Sequence, residues 1–279
     1  MASILTNSAA MKALREFRKY DTRSSENTEK ISTGKKIKSG KDNAAYYSAS
    51  KLSEKQASAL KNIHEAITLN KNAISISRMT SEKFHDLSKQ IQEKVALAAS
   101  IENSGNPDDV AEIQKNIDGL VVEMRAILDV SSFNGDSYIG TGDQTVITGF
   151  KTLPNGMSQA TTVTYPRQDL ETLYNSFNAI DLTTAPDLRT ELSNVESLSK
   201  QANTSAANLG IYDKSLDEYK DMLMPLADII TEGASALVDA DMEREAAIKA
   251  SNDIGMQLAI QNVSLTGLKA DRFLSLLGR

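Results

Sequence analysis

LRTELSNVESLSKQANTSAANLGIYDKSLDEYKDMLMPLADIITEGASAL, residues 188–237, decides the fold. Leu188, Leu192, Val195, Leu198, Ala202, Ala206, Leu209, Leu216, Tyr219, Leu223, Leu226, Ile230, Ala234 and Leu237 follow one another mostly at threes, fours and sevens. That spacing holds apolar side chains on one seam of a continuous helix. About 50 helical residues span roughly 75 Å, whereas a helix in a globular protein averages about 11–12 residues. A rod of that length stays in solution by lying against other rods.

Working outward, the partner rods are legible on the amino-terminal side. From Ala44 to Ala99 a second seam runs through Leu52, Leu60, Ile63, Ile67, Ile74, Phe84, Leu87, Ile91 and Val95. SGNPDD, residues 104–109, breaks it. Pro107 suits a first helical turn and the following aspartates suit its positive end, so a shorter helix is predicted to about Val130. The stretch from Ser3 to Ile31 reads as a helix with Ile4, Met11, Leu14, Phe17, Thr28 and Ile31 in helical register, followed by a Gly- and Lys-rich loop, STGKKIKSGKDN. Between Ser131 and Pro186 the character changes. Thr145–Thr148 and Thr161–Tyr165 are short β-prone runs, and Pro154-Asn155-Gly156 between them is a hairpin signal.

The totals agree with rods. The chain has 279 residues, 40% of them hydrophobic, only 5% aromatic, and no Trp. Aliphatic stripes, not bulky aromatics, must do the packing. A net charge of −6 argues against a general nucleic-acid binder. The absence of Cys excludes disulfides, thiol catalysis and thiolate metal sites. No stretch reaches the roughly 18 apolar residues of a membrane span, so no membrane insertion is expected. The opening MASILTNSAAMKALREFRKY holds no apolar run of the roughly 7–15 residues of a secretory signal. If the protein is exported, the general secretory route is not the expected one.

The carboxyl end, MQLAIQNVSLTGLKADRFLSLLGR (residues 256–279), is half apolar. On a helical wheel Met256, Ala259, Ile260, Val263, Ala270, Leu274 and Leu277 fall in one sector. Leu258, Leu265 and Leu276 fall nearly opposite, flanked by Leu268 and Phe273. A surface helix of a globular protein has one apolar stripe; two stripes need two sets of neighbours. The amino-terminal helix can cover one. A membrane-surface helix wants a basic polar face and a single apolar one, which this helix lacks. The remaining cover is further copies of the chain, with the ends expected to become ordered on assembly.

Several blocks resemble the bacterial flagellins. ISTGKKIKSGKDNAAYYSAS (residues 31–50) is similar to that family's amino-terminal block, and MASILTNSAAMKAL to its opening. Phe133-Asn134-Gly135 looks like its FNG. Leu237-Val238-Asp239-Ala240-Asp241-Met242, with Glu243 and Glu245, resembles the block before the last helix, and Leu274-Ser275-Leu276-Leu277 its closing LSLL. The blocks stand in order over most of the chain. Tyr46-Tyr47 stands where many relatives have small residues, and Val263-Ser264-Leu265-Thr266-Gly267 replaces a frequent polar run.

The resemblance implies a mainly α fold: a long coiled-coil-like helical bundle formed by the amino- and carboxyl-terminal segments, with a small β-hairpin-containing insert. It implies inner-tube segments at 1–33 and 239–279, a connecting loop at 34–43, rod helices at 44–130 and 188–238, and a solvent-facing insert at 131–187. The function implied is a secreted structural subunit of the flagellar filament. Its partners would be copies of itself, the flagellar export apparatus, an export chaperone, and the filament cap and junction proteins. The residues expected to carry self-assembly are Ile4, Leu5, Met11, Leu14, Phe17, Ile31, Met256, Leu258, Ile260, Val263, Leu265, Leu268, Phe273, Leu274, Leu276 and Leu277. A hook–filament junction protein or another flagellar axial protein is the alternative reading. A coiled-coil adaptor unrelated to flagella would form discrete oligomers and no fibres.

The sequence offers little for catalysis. His64 and His85 stand 21 residues apart on one predicted helix, about 32 Å, too far to share a metal ion. Asp239, Asp241, Glu243 and Glu245 are read as charges at a helix start. No phosphate loop, nucleophile elbow or zinc motif is found. No enzyme activity, cofactor or metal is expected.

Overall fold

The computed structural model describes residues 8–101, 107–152 and 158–277, with side chains in the last helix as far as Thr266 and at Leu268. The elements are α1 (Ser8–Thr33), α2 (Gly40–Ile101), α3 (Pro107–Asp129), β1 (Asp143–Thr152), β2 (Ser158–Pro166), α4 (Leu170–Asn178), α5 (Leu188–Val238) and α6 (Met242–Leu277). The fold is mainly α, with one two-stranded antiparallel sheet. The chain forms two compact units, Ala57–Asp228 on the one hand and Met1–Gln56 with Ile229–Arg279 on the other.

Helix starts follow from short polar side chains that accept the orphan backbone N–H groups of a first turn. Asp187 Oδ1 accepts from Arg189 N at 3.1 Å at the head of α5. Asp241 Oδ1 accepts from Arg244 N at 3.1 Å at the head of α6. Asp241 is thus the cap of the last helix, while Glu243 and Glu245 stand in its first turn. In α2 the backbone at Asn43 is extended (φ −164°, ψ 104°), and Asn43 Oδ1 accepts from Tyr46 N at 3.1 Å. The uninterrupted helix therefore begins just after Asn43. The turn before it is closed by Asp42 Oδ2, which accepts from Lys38 N and Ser39 N, both at 2.9 Å. These two bonds hold the Asp42 carboxyl below the usual carboxylate range.

Within Ala57–Asp228, α2 and α5 run antiparallel. Ser88 Oγ donates to Ser199 Oγ at 3.1 Å. Further along, Arg78 Nε lies 3.8 Å from Asp213 and Lys71 Nζ lies 3.5 Å from it; Lys71 also pairs with Asp217. On α5, Leu188, Val195, Ala202, Leu209, Leu216 and Leu223 recur every seven residues and are all buried. On α2, Leu60, Ile67, Ile74, Ser81, Ser88 and Val95 do the same. The seam read from the sequence is the seam that packs, although Leu52 and Leu226 lie exposed beside it.

One element of this unit was not anticipated. The insert contains helix α4, capped by Asp169, whose Oδ1 accepts from Thr172 N. Leu170, Leu173 and Phe177 are buried, and the Phe177 ring meets Phe84 edge-on, with centroids 5.9 Å apart. Ile180 and Leu182 join the same core. Gln114 holds this returning segment by donating to Ile180 O at 3.0 Å and accepting from Leu182 N at 2.9 Å. This portion of the insert is core and not a solvent-facing loop. A helix of nine residues shows too few turns for its period to stand out.

The hairpin strands extend both predicted runs. Thr145 pairs with Thr164 and Val146 with Val163, and a bulge falls between Ile147 and Gly149. Pro154-Asn155-Gly156 lies outside the described residues. At the hairpin's base Tyr165 donates to Ser215 Oγ at 2.9 Å and stacks 4.8 Å from Tyr212. Phe133-Asn134-Gly135-Asp136 closes a tight turn. Asn134 and Gly135 have φ of 54° and 89°, and Phe133 and Asp136 exchange both backbone hydrogen bonds. A turn with two successive positive φ angles selects Asn-Gly.

Candidate assembly surface

In the other unit α1 and α6 lie against each other, antiparallel. The order of contacts shows it: Ser24 Oγ donates to Asp253 Oδ1 at 2.9 Å, Asn27 meets Asn252 and Glu245, and Lys30 Nζ lies 3.8 Å from Glu245. The less exposed positions of α1 are Ala10, Ala13, Phe17, Tyr20, Ser24, Asn27 and Ile31; those of α6 include Glu245, Lys249, Asn252, Met256, Ala259, Val263 and Thr266. Both sets alternate threes and fours, so each helix turns one narrow seam to the other.

The connections into the pair are braced by backbone. Gly34, at φ 68°, offers its carbonyl to Ala240 N at 2.8 Å, while Lys36 N and Ile37 N both donate to Val238 O, at 2.8 and 3.2 Å. Ile37 and Val238 are buried beneath this crossing. A positive φ is a conformation glycine adopts without strain, which accounts for Gly34 within ISTGKK.

What the seam buries is unusual. In α1 the buried residues are Ser24 and Asn27. In the described part of α6 they are Glu245, Asn252 and Ala259. The polar ones are satisfied by one another. Asn27 Nδ2 donates to Glu245 Oε2 and, at 3.4 Å, to the Glu245 carbonyl, and Asn27 Oδ1 accepts from Asn252 Nδ2 at 2.9 Å. Meanwhile the large apolar side chains face outward. Ile254, Leu258, Leu265 and Leu268 are 59%, 55%, 57% and 56% exposed.

The candidates named from the sequence divide accordingly. Met11, Leu14, Leu258, Ile260, Leu265 and Leu268 are exposed. Phe17, Ile31, Met256 and Val263 are half-buried on the seam. Ile4 and Leu5, and the side chains of Phe273, Leu274, Leu276 and Leu277, lie outside the described residues. Three of the exposed candidates, Ile260, Met11 and Leu14, lie off the seam. Ile260 leaves the inward sector, because a seam alternating Met256, Ala259, Val263 passes it by. On α1 the inward line runs through Ala10, Ala13 and Tyr20 and not through Met11 and Leu14. The sequence reading also expected the ends to become ordered on assembly; Ser8–Thr33 and Met242–Leu277 are helices, each covering the other's seam. Ser24, Asn27 and Asn252 were missed, and Glu245 was read only as a charge at a helix start. Their signal was their heptad spacing with polar side chains, which a search for apolar residues discards.

Among the described residues no group of three or more His, Cys, Asp or Glu side chains converges to hold a metal ion. Nor is any helix among them long and apolar enough to cross a membrane. Paired long helices whose ends hide polar groups and display apolar ones are the construction of a structural protein. The family model for the bacterial flagellin N-terminal helical region matches residues 4–140. A flagellin of Brucella melitensis is 28% identical over 99% of this chain and 99% of its own. Flagellin FljM of Caulobacter vibrioides is 28% identical over 98% of each chain. The solved flagellin of Bacillus cereus overlays with a TM-score of 0.45 at 18% identity, covering 58% of this chain and 88% of its own. Over nearly its whole length the chain is thus similar to bacterial flagellins, which are structural proteins and not enzymes.

Proposed function

We propose that this chain is the structural subunit of a flagellar filament and polymerises through its terminal helices. The observation that carries the reading is the outward stripe of α6, with Ile254, Leu258, Leu265 and Leu268 all more than half exposed. A large apolar side chain fully buried contributes roughly 1.5–3 kcal/mol. The four together come to at most about 6–12 kcal/mol, of the same order as the freedom lost on joining a polymer, about 4–15 kcal/mol. Segments 1–33 and 239–279 take the inner-tube role in this reading, 44–130 and 188–238 the rod role, with 34–43 connecting them and 131–187 inserted. Export through the flagellar apparatus with a chaperone, and contacts with cap and junction proteins, follow from the same reading, as does an extracellular filament. Relatives matched over nearly their whole length are named flagellin, which favours a filament subunit over a junction protein.

Seeding purified chain with short filaments and viewing the product by electron microscopy tests this. The intact chain is expected to give fibres, and a chain lacking Gly255–Arg279 none. Fibre growth without that segment would remove the assigned role; discrete oligomers from the intact chain would favour an adaptor.

A further inference from the structure

Helix α6 offers α1 two alternatives. Its inward stripe is Met256, Ala259, Val263 and Thr266; its outward stripe, on the opposite side at about 100° per residue, is Ile254, Leu258, Leu265 and Leu268. The second is the more apolar. The outer half of the α1 seam, Ala10, Ala13, Phe17 and Tyr20, is small and aromatic, with the Tyr20 hydroxyl its one polar side-chain group. If burial of apolar surface alone decided, α6 would be turned by half a revolution. Its leucines would then lie against α1 and be lost to any neighbour.

The structure shows what opposes that turn. Asn27 is buried, and its amide is satisfied by α6 alone: it donates to Glu245 Oε2 and the Glu245 carbonyl and accepts from Asn252. Rotating α6 by half a turn carries Glu245 and Asn252 out of reach and leaves that amide buried without partners. A buried polar group stripped of its hydrogen bonds is penalised by its full desolvation. Gly255 adds a steric preference. A Cβ there would stand 2.5 Å from Tyr20 Cε1, so the Tyr20 ring occupies a place only this face of α6 leaves open.

We propose that Asn27, Glu245 and Asn252 form a facing key. The layer holds α6 with its weaker stripe toward α1 and thereby keeps the stronger stripe free for neighbouring copies. Its use in assembly rests on the filament reading above; the facing itself is a property of the single chain. A lone polar residue at a core position of a coiled coil selects geometry at a cost in stability in the same way.

The chain has no cysteine, so single thiols can be placed and their reaction with a small maleimide followed in the unassembled protein. Leu265→Cys is expected to react several-fold faster than Ala259→Cys. In a background of Asn27→Leu, Glu245→Leu and Asn252→Leu the ratio is expected to fall to one or invert, with helicity by circular dichroism retained. If that background loses helicity, the ratio is read in Asn27→Ala with Asn252→Ala, where it is expected to fall. Equal reactivity in the parent, or an unchanged ratio in the helical variant, overturns the key. Because fibres are not read, these outcomes are separate from any failure of polymerisation.

Discussion

The core of one compact unit and the α1/α6 pair of the other differ in what they bury. In Ala57–Asp228 the buried positions are Phe84, Ile91, Val95, Ile117, Met124, Phe177, Val195 and their like, an ordinary close-packed core. Among the described side chains of the α1/α6 pair they are Ser24, Asn27, Glu245, Asn252 and one alanine, Ala259, while Leu14, Leu258, Leu265 and Leu268 stand in solvent. One unit has a complete apolar core, although Val122, Val130 and Ile211 stand exposed on its surface too. The other is satisfied in its hydrogen bonds but not in its apolar surface. An exposed apolar surface marks an interaction site, and the outward stripe of α6 is the one proposed above to carry assembly.

The sharpest way to break the contrast is to damage the complete unit. Phe84→Ala removes a fully buried ring that meets Phe177. It is expected to cost about 3–5 kcal/mol, read as a lowered denaturant midpoint for α2, α4 and α5. A loss below about 1 kcal/mol, the range of volume-conserving swaps, would mean that this core tolerates cavities and that the contrast is overdrawn. Gly255→Ala attacks the other unit at its tightest approach. The new methyl must displace the Tyr20 ring, and about 1–3 kcal/mol of pair stability is expected to be lost. Amide exchange would show it as faster opening of α1 and α6 with α5 amides unchanged. Faster exchange in neither helix would indicate that Tyr20 swings aside freely.

The sequence carried the rods because length multiplies a weak signal. Six successive heptad positions from Leu188 to Leu223 cannot be mistaken for anything but a seam. It carried the two-sided character of α6 for the same reason. Helix α4 was illegible because nine residues give barely more than two turns, and its apolar Leu170, Leu173 and Phe177 resemble a short strand as much as a helix. The α1 seam was illegible for a different reason. Its inward residues are Ala, Ser and Asn, and its larger Met11 and Leu14 point away. Apolarity predicts the buried side only where the fold is complete within one chain. Where the best apolar residues are kept for other copies, the rule points to the wrong side.

Leu265→Asp separates stability from assembly. Leu265 is exposed, so the change is expected to alter single-chain stability by no more than about 0.5 kcal/mol. Polymer yield in the seeded assay is expected to vanish, because a charge cannot be buried unpaired between copies. Loss of thermal stability with normal fibres would reverse the assignment of inward and outward faces. Ile211→Asp, also exposed but in the complete unit, provides the control: there too single-chain stability should barely move, as for other surface substitutions.

The smallest effect expected is electrostatic and is confined to the pair. The Asp253 carboxyl is held below the usual carboxylate range, first by the hydrogen bond from Ser24 and then by Lys249. A carboxyl lowered in the folded state contributes stability that is present above its ordinary value of 3.8 and is lost as the pH falls through the lower folded value. The α1/α6 helices should therefore weaken in acid. In Asp253→Asn the amide oxygen still accepts from Ser24 but carries no charge, so the parent's advantage over the variant should shrink on acidification across that window. Melting followed at a Ser264→Trp reporter in this Trp-free chain would read it. Because the group is exposed, salt should reduce the difference as well. In the complete unit Asp181 and Asp187 are also lowered, by bonds from Thr183 and Thr190 at turn and cap positions. Their protonation should fray ends and leave the core intact. A pair that outlasts the Phe84 core in acid would contradict the claim that its inner surface is the polar one.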